Sequence, residues 1–275
     1  MSTPDSPGPL VFITGASSGL GQALASHYRR QGWRLALVAR RADDLEAWVR
    51  AQGWAAGECR VYRADVAVTE ALLTVARACL ETQGLPDVVI ASAGISIGMD
   101  TADRADLAVM AQVLETNLLG MAATFHPFVQ PMCERGRGTL VGIGSVAGIR
   151  GLPGHGAYCA SKAGVHAYCE SLRGELRPSG VKVVTLAPGY VDTPLTRHNR
   201  YRMPFLMAPE DFARAAFQAI ESGGRWRVIP WPMGVLGGLL RILPGACLDR
   251  LLAGRPRKRR QQEAPSPPDR PPQDP

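Results

Sequence analysis

The alternation of short apolar runs with longer amphipathic segments constrains this chain more than any other feature. Leu10–Thr14, Leu35–Ala39, Arg60–Arg63, Val88–Ala91, Leu140–Gly144, Val181–Leu186 and Val228–Ile229 read as strands. Leu20–Gln31, Asp43–Gln52, Thr69–Thr82, Asp103–Arg135, Ala157–Arg177 and Pro209–Ser222 carry helical periodicity, and the fourth is long enough for two helices. The strand runs are apolar on successive residues, which requires cover on both faces. The pattern predicts an α/β fold: a doubly wound parallel sheet of about seven strands with helices on both faces, Rossmann-like.

A length of 275 residues suits one well-buried domain better than two. The expected organisation is a flexible N-terminus (1–8), one α/β domain (9–230), an apolar segment (231–253) and a basic, Pro-rich disordered tail (254–275). Within the domain, 189–208 is a long connection of the kind that forms lids and binding loops. The polar, Pro-rich start does not read as a signal peptide, and no charge-free apolar run reaches the roughly 18 residues of an ordinary transmembrane helix.

The formal net charge is +7, part of it in the tail, where Arg255, Arg257, Lys258, Arg259, Arg260 and Arg270 outweigh Glu263, Asp269 and Asp274. A mildly basic body suits a phosphate-rich cofactor. The tail's short basic run lacks interleaved aromatics and does not suit nucleic acid. The cysteines form no C-x-x-C pair and read as reduced thiols of a cytoplasmic protein; no cluster has metal-ligand spacing.

Thr14-Gly15-Ala16-Ser17-Ser18-Gly19-Leu20-Gly21 follows the first strand and opens the first helix. Glycines there allow a tight turn and close approach of backbone to a pyrophosphate, and the helix N-terminus offers free N–H groups. At the end of strand two, where NAD sites carry Asp or Glu for the ribose 2′-OH, this chain has Arg40 and Arg41. A guanidinium pairs with a 2′-phosphate and a carboxylate repels it, so NADP(H) is expected over NAD(H), with Ser17 as a further donor. The plainer alternative is that both arginines cap a solvated strand end.

Tyr158 and Lys162 lie one helical turn apart. An ammonium beside a phenol favours the phenolate and should draw its pKa from about 10 toward working pH, making Tyr158 an acid/base for a carbonyl or alcohol. Ser145 ends strand five, Asn117 lies in the middle helical region, and Pro188-Gly189 follows strand six with Thr193 soon after. With Asp65 and Ala91–Gly94, in this order and at these spacings, the chain resembles the short-chain dehydrogenase/reductase family over about Pro9 to Pro230.

The resemblance implies a hydride-transferring oxidoreductase acting on a small carbonyl or alcohol, with roles that carry over residue by residue. Tyr158 is the acid/base. Lys162 lowers its pKa and bonds the nicotinamide ribose. Ser145 holds the substrate oxygen, and Asn117 holds a relay water. Gly15, Ser17, Ser18, Gly19, Leu20 and Gly21 cradle the pyrophosphate, and Asp65 and Val66 contact the adenine. Ala93 and Gly94 let the backbone approach the cofactor, while Pro188, Gly189, Val191 and Thr193 flank the nicotinamide. Where the family often has Asn-Asn-Ala-Gly, this chain has Ala91-Ser92-Ala93-Gly94, and Ser92 is expected to make a local hydrogen bond. A homodimer or homotetramer is also implied, through a helix whose Ala157, Ala160, Ala163, Gly164 and Ala167 permit close approach, with His166 and Tyr168 at that contact.

Two regions carry further readings. The basic run Arg197, His198, Arg200, Arg202, followed by Met203, Phe205, Leu206 and Met207, fits either a solvated loop or a substrate with an apolar chain and an anionic group. Residues 231–260 fit a cover over the substrate pocket, a subunit contact or a peripheral membrane contact. The alternatives to a soluble carbonyl reductase are a membrane-surface reductase of a long-chain keto lipid and a non-catalytic NADP(H)-binding sensor.

Overall fold

A computed structural model describes residues 8–197, 199, 202–254, 258 and 260. Seven parallel strands form one sheet: β1 (Leu10–Thr14), β2 (Arg34–Ala39), β3 (Cys59–Arg63), β4 (Val88–Ala91), β5 (Gly138–Ile143), β6 (Val181–Pro188) and β7 (Trp226–Ile229). Their order is β3-β2-β1-β4-β5-β6-β7, so β1 lies between β2 and β4 and the winding reverses there. A crevice at the carboxyl edge opens at such a reversal, because the chain leaves adjacent strands toward opposite faces.

Helices α1 (Gly19–Arg30), α2 (Ala42–Ala51) and, later in the chain, α7 (Pro209–Glu221) cover one face, with Leu24, Leu45 and Phe212 buried against it. On the other face lie α3 (Thr69–Thr82), α5 (Gly120–Arg135) and α6 (Gly156–Leu176), where Leu72, Phe128 and Val165 are buried. Both faces of each central strand are therefore shut off from water, as the uninterrupted apolar runs demanded.

The fourth helical segment is one continuous helix rather than two. α4 (Asp106–Leu114) passes through a π turn at Glu115–Leu119 directly into α5. Its length and apolar composition would also suit a membrane span, yet it lies between α3, α6 and the sheet, with Phe125 and Phe128 fully buried. The π turn absorbs an extra residue at Asn117, and such turns gather at functional sites.

The apolar C-terminal segment forms two helices, α8 (Trp231–Ile242) and α9 (Gly245–Leu252). Part of the tail expected to be disordered is docked instead. Lys258 Nζ donates to the Leu195 carbonyl at 3.3 Å, and the Arg260 guanidinium pairs with Asp103 and with Asp106, at 2.7 Å for the latter. Asp106 is only 1% exposed, and a carboxylate so buried needs a cation. Positions 1–7 of the expected flexible N-terminus, His198 and Arg200 of the basic run, and 255–257, 259 and 261–275 of the tail lie outside the described residues.

Tyr28 sits in the α1 face of the core, its ring about 5.0 Å from both Trp33 and Phe217, and its hydroxyl has no hydrogen-bond partner among the described residues. Burial drives that phenol's pKa far upward. Tyr28→Phe keeps the ring contacts and removes the unpaired group, so urea unfolding should find the variant as stable as wild type or more stable by up to about 1 kcal/mol. A loss of stability of that size would mean the hydroxyl is bonded.

Candidate active site

The glycine turn is shaped by two close backbone approaches. Gly15 has φ +70°, and a Cβ there would lie 2.6 Å from Ala93 Cα, so the turn after β1 and the loop after β4 touch backbone to backbone. A Cβ at Gly21 would lie 2.3 Å from the Gly15 carbonyl oxygen, which sets the first turn of α1 directly on that loop. Ser18 caps α1 with extended backbone and makes no side-chain cap bond, and the first turn holds no acidic residue. The N–H groups of Ser18, Gly19, Leu20 and Gly21 open the helix without intrahelical partners, and a helix start of this kind favours an anion.

Across the crevice, Thr193 approaches Gly19 closely: a Cβ on Gly19 would be 3.2 Å from Thr193 Cβ. Thr193 and Val191 are buried, and Val191 pairs with Met207 as an isolated parallel bridge, tying the start of the long loop to its end. Pro188 ends β6. Gly189 is required by α8, since a Cβ there would meet Met233 at 2.7 Å. Leu20 is half-buried against the α1-side core. Val66 is buried beneath Gly120, while Asp65 faces outward. Arg40 reaches Asp65 at 3.3 Å and Arg41 reaches Asp44 at 3.6 Å, and both guanidiniums are largely exposed at the rim.

The catalytic candidates converge at the end of β5. Gly144 N still bonds the Leu186 carbonyl at 2.7 Å, and Ser145 follows in extended conformation, its Oγ accepting from Ala147 N at 3.1 Å. The short helical turn after it presses on α6: a Cβ at Gly148 would lie 2.7 Å from the Lys162 carbonyl. Tyr158 and Lys162 share the face of α6 turned to this point. Lys162 Nζ donates to the Ile143 carbonyl at 2.8 Å and lies 5.8 Å from the Tyr158 ring centroid. Gly94 closes the other side, since a Cβ there would approach Asn117 Oδ1 at 3.4 Å and Lys162 Nζ at 3.5 Å.

Asn117 is 1% exposed and its side chain is fully used. Oδ1 accepts from Ile95 N at 2.8 Å, and Nδ2 donates to the Ile95 carbonyl at 2.9 Å and to Ser161 Oγ at 3.0 Å. Ser161 Oγ in turn donates to the Tyr158 carbonyl at 2.8 Å. Ser161 and Gly148 are positioning residues that sequence reasoning missed. Serine between Tyr158 and Lys162 on α6 was the one available signal for the first, and a glycine three residues after Ser145 for the second.

Three expectations are corrected. The tyrosine's pKa lies above its ordinary value rather than below it. Burial pushes the Tyr158 phenol up to about 12 despite its hydrogen bond with the Ser145 side chain, and burial pulls the Lys162 ammonium down to about 8, because a low-dielectric site favours both neutral forms. Among the described residues Ser92 Oγ is buried without a partner rather than locally bonded. His166 does not face outward: it turns toward the sheet, 3.4 Å from Ser145 N and edge-on to Trp226. Ala157 and Gly164 also face inward, against Met99 and Leu118, leaving Ala160, Ala163 and Ala167 as the exposed small face of α6.

A family profile described as short chain dehydrogenase matches residues 9–203. An uncharacterized oxidoreductase of Myxococcus xanthus is 39% identical over 240 residues, 87% of this chain and 94% of that one. A short-chain dehydrogenase from Streptomyces avermitilis superposes with a TM-score of 0.76 at 24% identity, over 90% of this chain and 95% of the other, a likeness of fold. An alcohol dehydrogenase from Thermococcus sibiricus, solved with 5-hydroxy-NADP, has a TM-score of 0.71 and 27% identity over 81% of this chain and 96% of that one.

The buried lysine has a signature in stability. Its folded pKa of about 8 lies below the ordinary 10.5, so between those values the unfolded chain binds more protons and stability rises with pH. Measured by urea unfolding without cofactor, wild type should gain stability over Lys162→Met as pH climbs through that window. Parallel curves would show that Lys162 keeps an ordinary pKa.

Proposed function

The chain belongs to the short-chain dehydrogenase/reductase family, and from that premise we propose that it transfers a hydride between NADP(H) and a small carbonyl or alcohol, with Tyr158 as acid/base. The observation that carries this reading is the convergence of Ser145, Tyr158 and Lys162 at the carboxyl end of β5, beside a glycine turn that fits a pyrophosphate.

NADP(H), when bound, supplies or accepts the hydride. The chain's own residues handle the proton. In the reductive direction the Ser145 hydroxyl donates to the carbonyl oxygen and holds it beside the Tyr158 phenol, which is neutral at ordinary pH and so carries the proton to be given. Losing that proton leaves a buried phenolate, which the neighbouring Lys162 ammonium stabilises. Asn117 and Ser161 hold α6 and the β4 loop in register, so that the three groups keep their spacing. The same reading takes Arg40 and Arg41 as the 2′-phosphate contact, supported by their place at the crevice rim and the absence of a carboxylate at the end of β2. It takes Asp65 and Val66 for the adenine, and Val191 and Thr193 for the nicotinamide side. A homodimer or homotetramer through the exposed alanine face of α6 belongs to the same reading.

Oxidation of NADPH and NADH should be followed across ketones, aldehydes and 3-oxoacyl thioesters. Wild type is expected to turn over with NADPH, and Tyr158→Phe to lose at least about a hundredfold in kcat. Undiminished rates in that variant would remove Tyr158 from its role. Arg40→Ala combined with Arg41→Ala is expected to weaken NADPH binding about ten- to a hundredfold while leaving NADH binding nearly unchanged, read by cofactor titration. Equal losses for both cofactors would argue against a 2′-phosphate contact.

A further inference from the structure

The packed face of α8 is narrow and holds two glycines, and much of the helix's bulky apolar surface stays in water. Glycines face inward: a Cβ would come within 3.2 Å of Val228 at Gly234 and within 2.7 Å of Ile149 at Gly237, and Met233 is the large side chain buried there. The outward face carries Trp231, Val235, Leu239 and Ile242, which are 76%, 56%, 58% and 79% exposed. Spaced i, i+4, i+8 and i+11, they form a single stripe. A helix free to choose would turn that stripe to the core, since contiguous exposed apolar surface is unfavourable in water.

The surroundings of the stripe are cationic. α8 contains no acidic residue, and its one charged side chain, Arg241, is exposed. Arg150 reaches the C-terminal end of α8, donating to the Leu243 carbonyl at 3.1 Å. Arg227 and Arg250 are exposed on β7 and α9, with Asp249 as the single carboxylate of α9. The tip of the long loop adds Phe205 and Leu206, 54% and 48% exposed. The next residue, Met207, lines a groove of about 450 Å³ together with Trp231, so the loop tip and the start of α8 lie near one another.

We infer that α8 is a membrane-surface anchor. Lying in the plane of an anionic bilayer, it places Trp231, Val235, Leu239 and Ile242 in the headgroup–acyl boundary and its arginines on lipid phosphates. Twelve residues are too few to span the hydrocarbon core. A second copy of the chain fits less well. The helix is roughly 18 Å long and 10 Å wide, a footprint well short of the roughly 800 Å² per partner of a stable interface. A bilayer needs only the stripe, and a tryptophan at one end of it suits the interface between water and lipid. The anchor goes beyond the proposed hydride transfer and stands or falls independently of it.

The test uses the full chain and sedimentation with phosphatidylcholine vesicles, with and without phosphatidylglycerol. Wild type is expected to pellet with the anionic vesicles and to be released by high salt. The triple variant Val235→Ser/Leu239→Ser/Ile242→Ser, altered only at exposed positions, should bind at least about tenfold more weakly while keeping its thermal midpoint. Brominated acyl chains should quench tryptophan fluorescence in wild type, and that quenching should largely vanish in Trp231→Phe, which still pellets. Wild type left in the supernatant, or a triple variant that pellets as well as wild type, would overturn the proposal. So would a wild-type dimer that ignores vesicles and falls to monomer in the triple variant, because a second copy would then be the occupant.

Discussion

The site depends on one buried amide. Asn117 satisfies both the N–H and the carbonyl of Ile95 and also reaches Ser161, so a single side chain joins the loop after β4, the long helix and α6. Each of those bonds is made away from water, where an unpaired polar group is costly, and so the three elements have one low-energy arrangement. Ser161 passes the constraint to Tyr158 through the tyrosine's own carbonyl. The π turn in the middle of the long helix fits the same logic: the extra residue it accommodates falls where Asn117 must face inward. Glycines complete the arrangement, since Gly15 and Gly148 each let backbone come where a side chain would collide with the neighbouring chain.

Burial sets the electrostatics of the crevice. Tyr158 and Lys162 are both held toward their neutral forms, the phenol upward and the amine downward, although their side chains are neighbours. In a site of low dielectric the cost of each charge exceeds what a neighbour at this distance returns. His166, behind Ser145, is pushed down to about 4 by the same burial, with Lys162 and Arg241 adding repulsion, so it acts as a neutral acceptor under the Ser145 backbone. The result is an acid whose proton stays in place at ordinary pH. Charge at the rim is treated differently: Arg40 and Arg41 lie in water, free to meet an anion without first losing a buried partner.

The C-terminal part of the chain completes the fold in two ways. α8 packs on β7 and on the turn after β5 through its glycines, which brings it close to Gly189 and to the loop that opens the long connection. Arg260 returns to the body to meet Asp103 and the buried Asp106, beside a backbone bridge from Gly98 to Arg260. The loops after β4 and β6 are thereby each held by a residue far along the chain, Arg260 in one case and Lys258 in the other.

The succession of apolar runs along the chain, the glycine turn and the Tyr158–Lys162 spacing were all legible in the sequence, because each is a local pattern with one physical meaning. Continuous apolar strands need two covered faces, glycines between strand and helix need a close approach, and positions one turn apart share a face. Every strand emerged within a few residues of its expected bounds. What the chain could not reveal were relations between distant segments. The Asn117–Ile95–Ser161 network, the inward turn of His166, the unpaired Ser92 hydroxyl and the docking of Arg260 on Asp106 join residues far apart in sequence, and no local pattern marks them. The pKa values followed the same division: spacing alone brought an ammonium beside a phenol, but only the packed site decided that desolvation outweighs their attraction. The two sides of α8 show it again. Composition marked an apolar segment, while its helical form and the side it turns to water were decided by packing, with glycines fitting closely against Val228 and Ile149 and Trp231, Val235, Leu239 and Ile242 left outside.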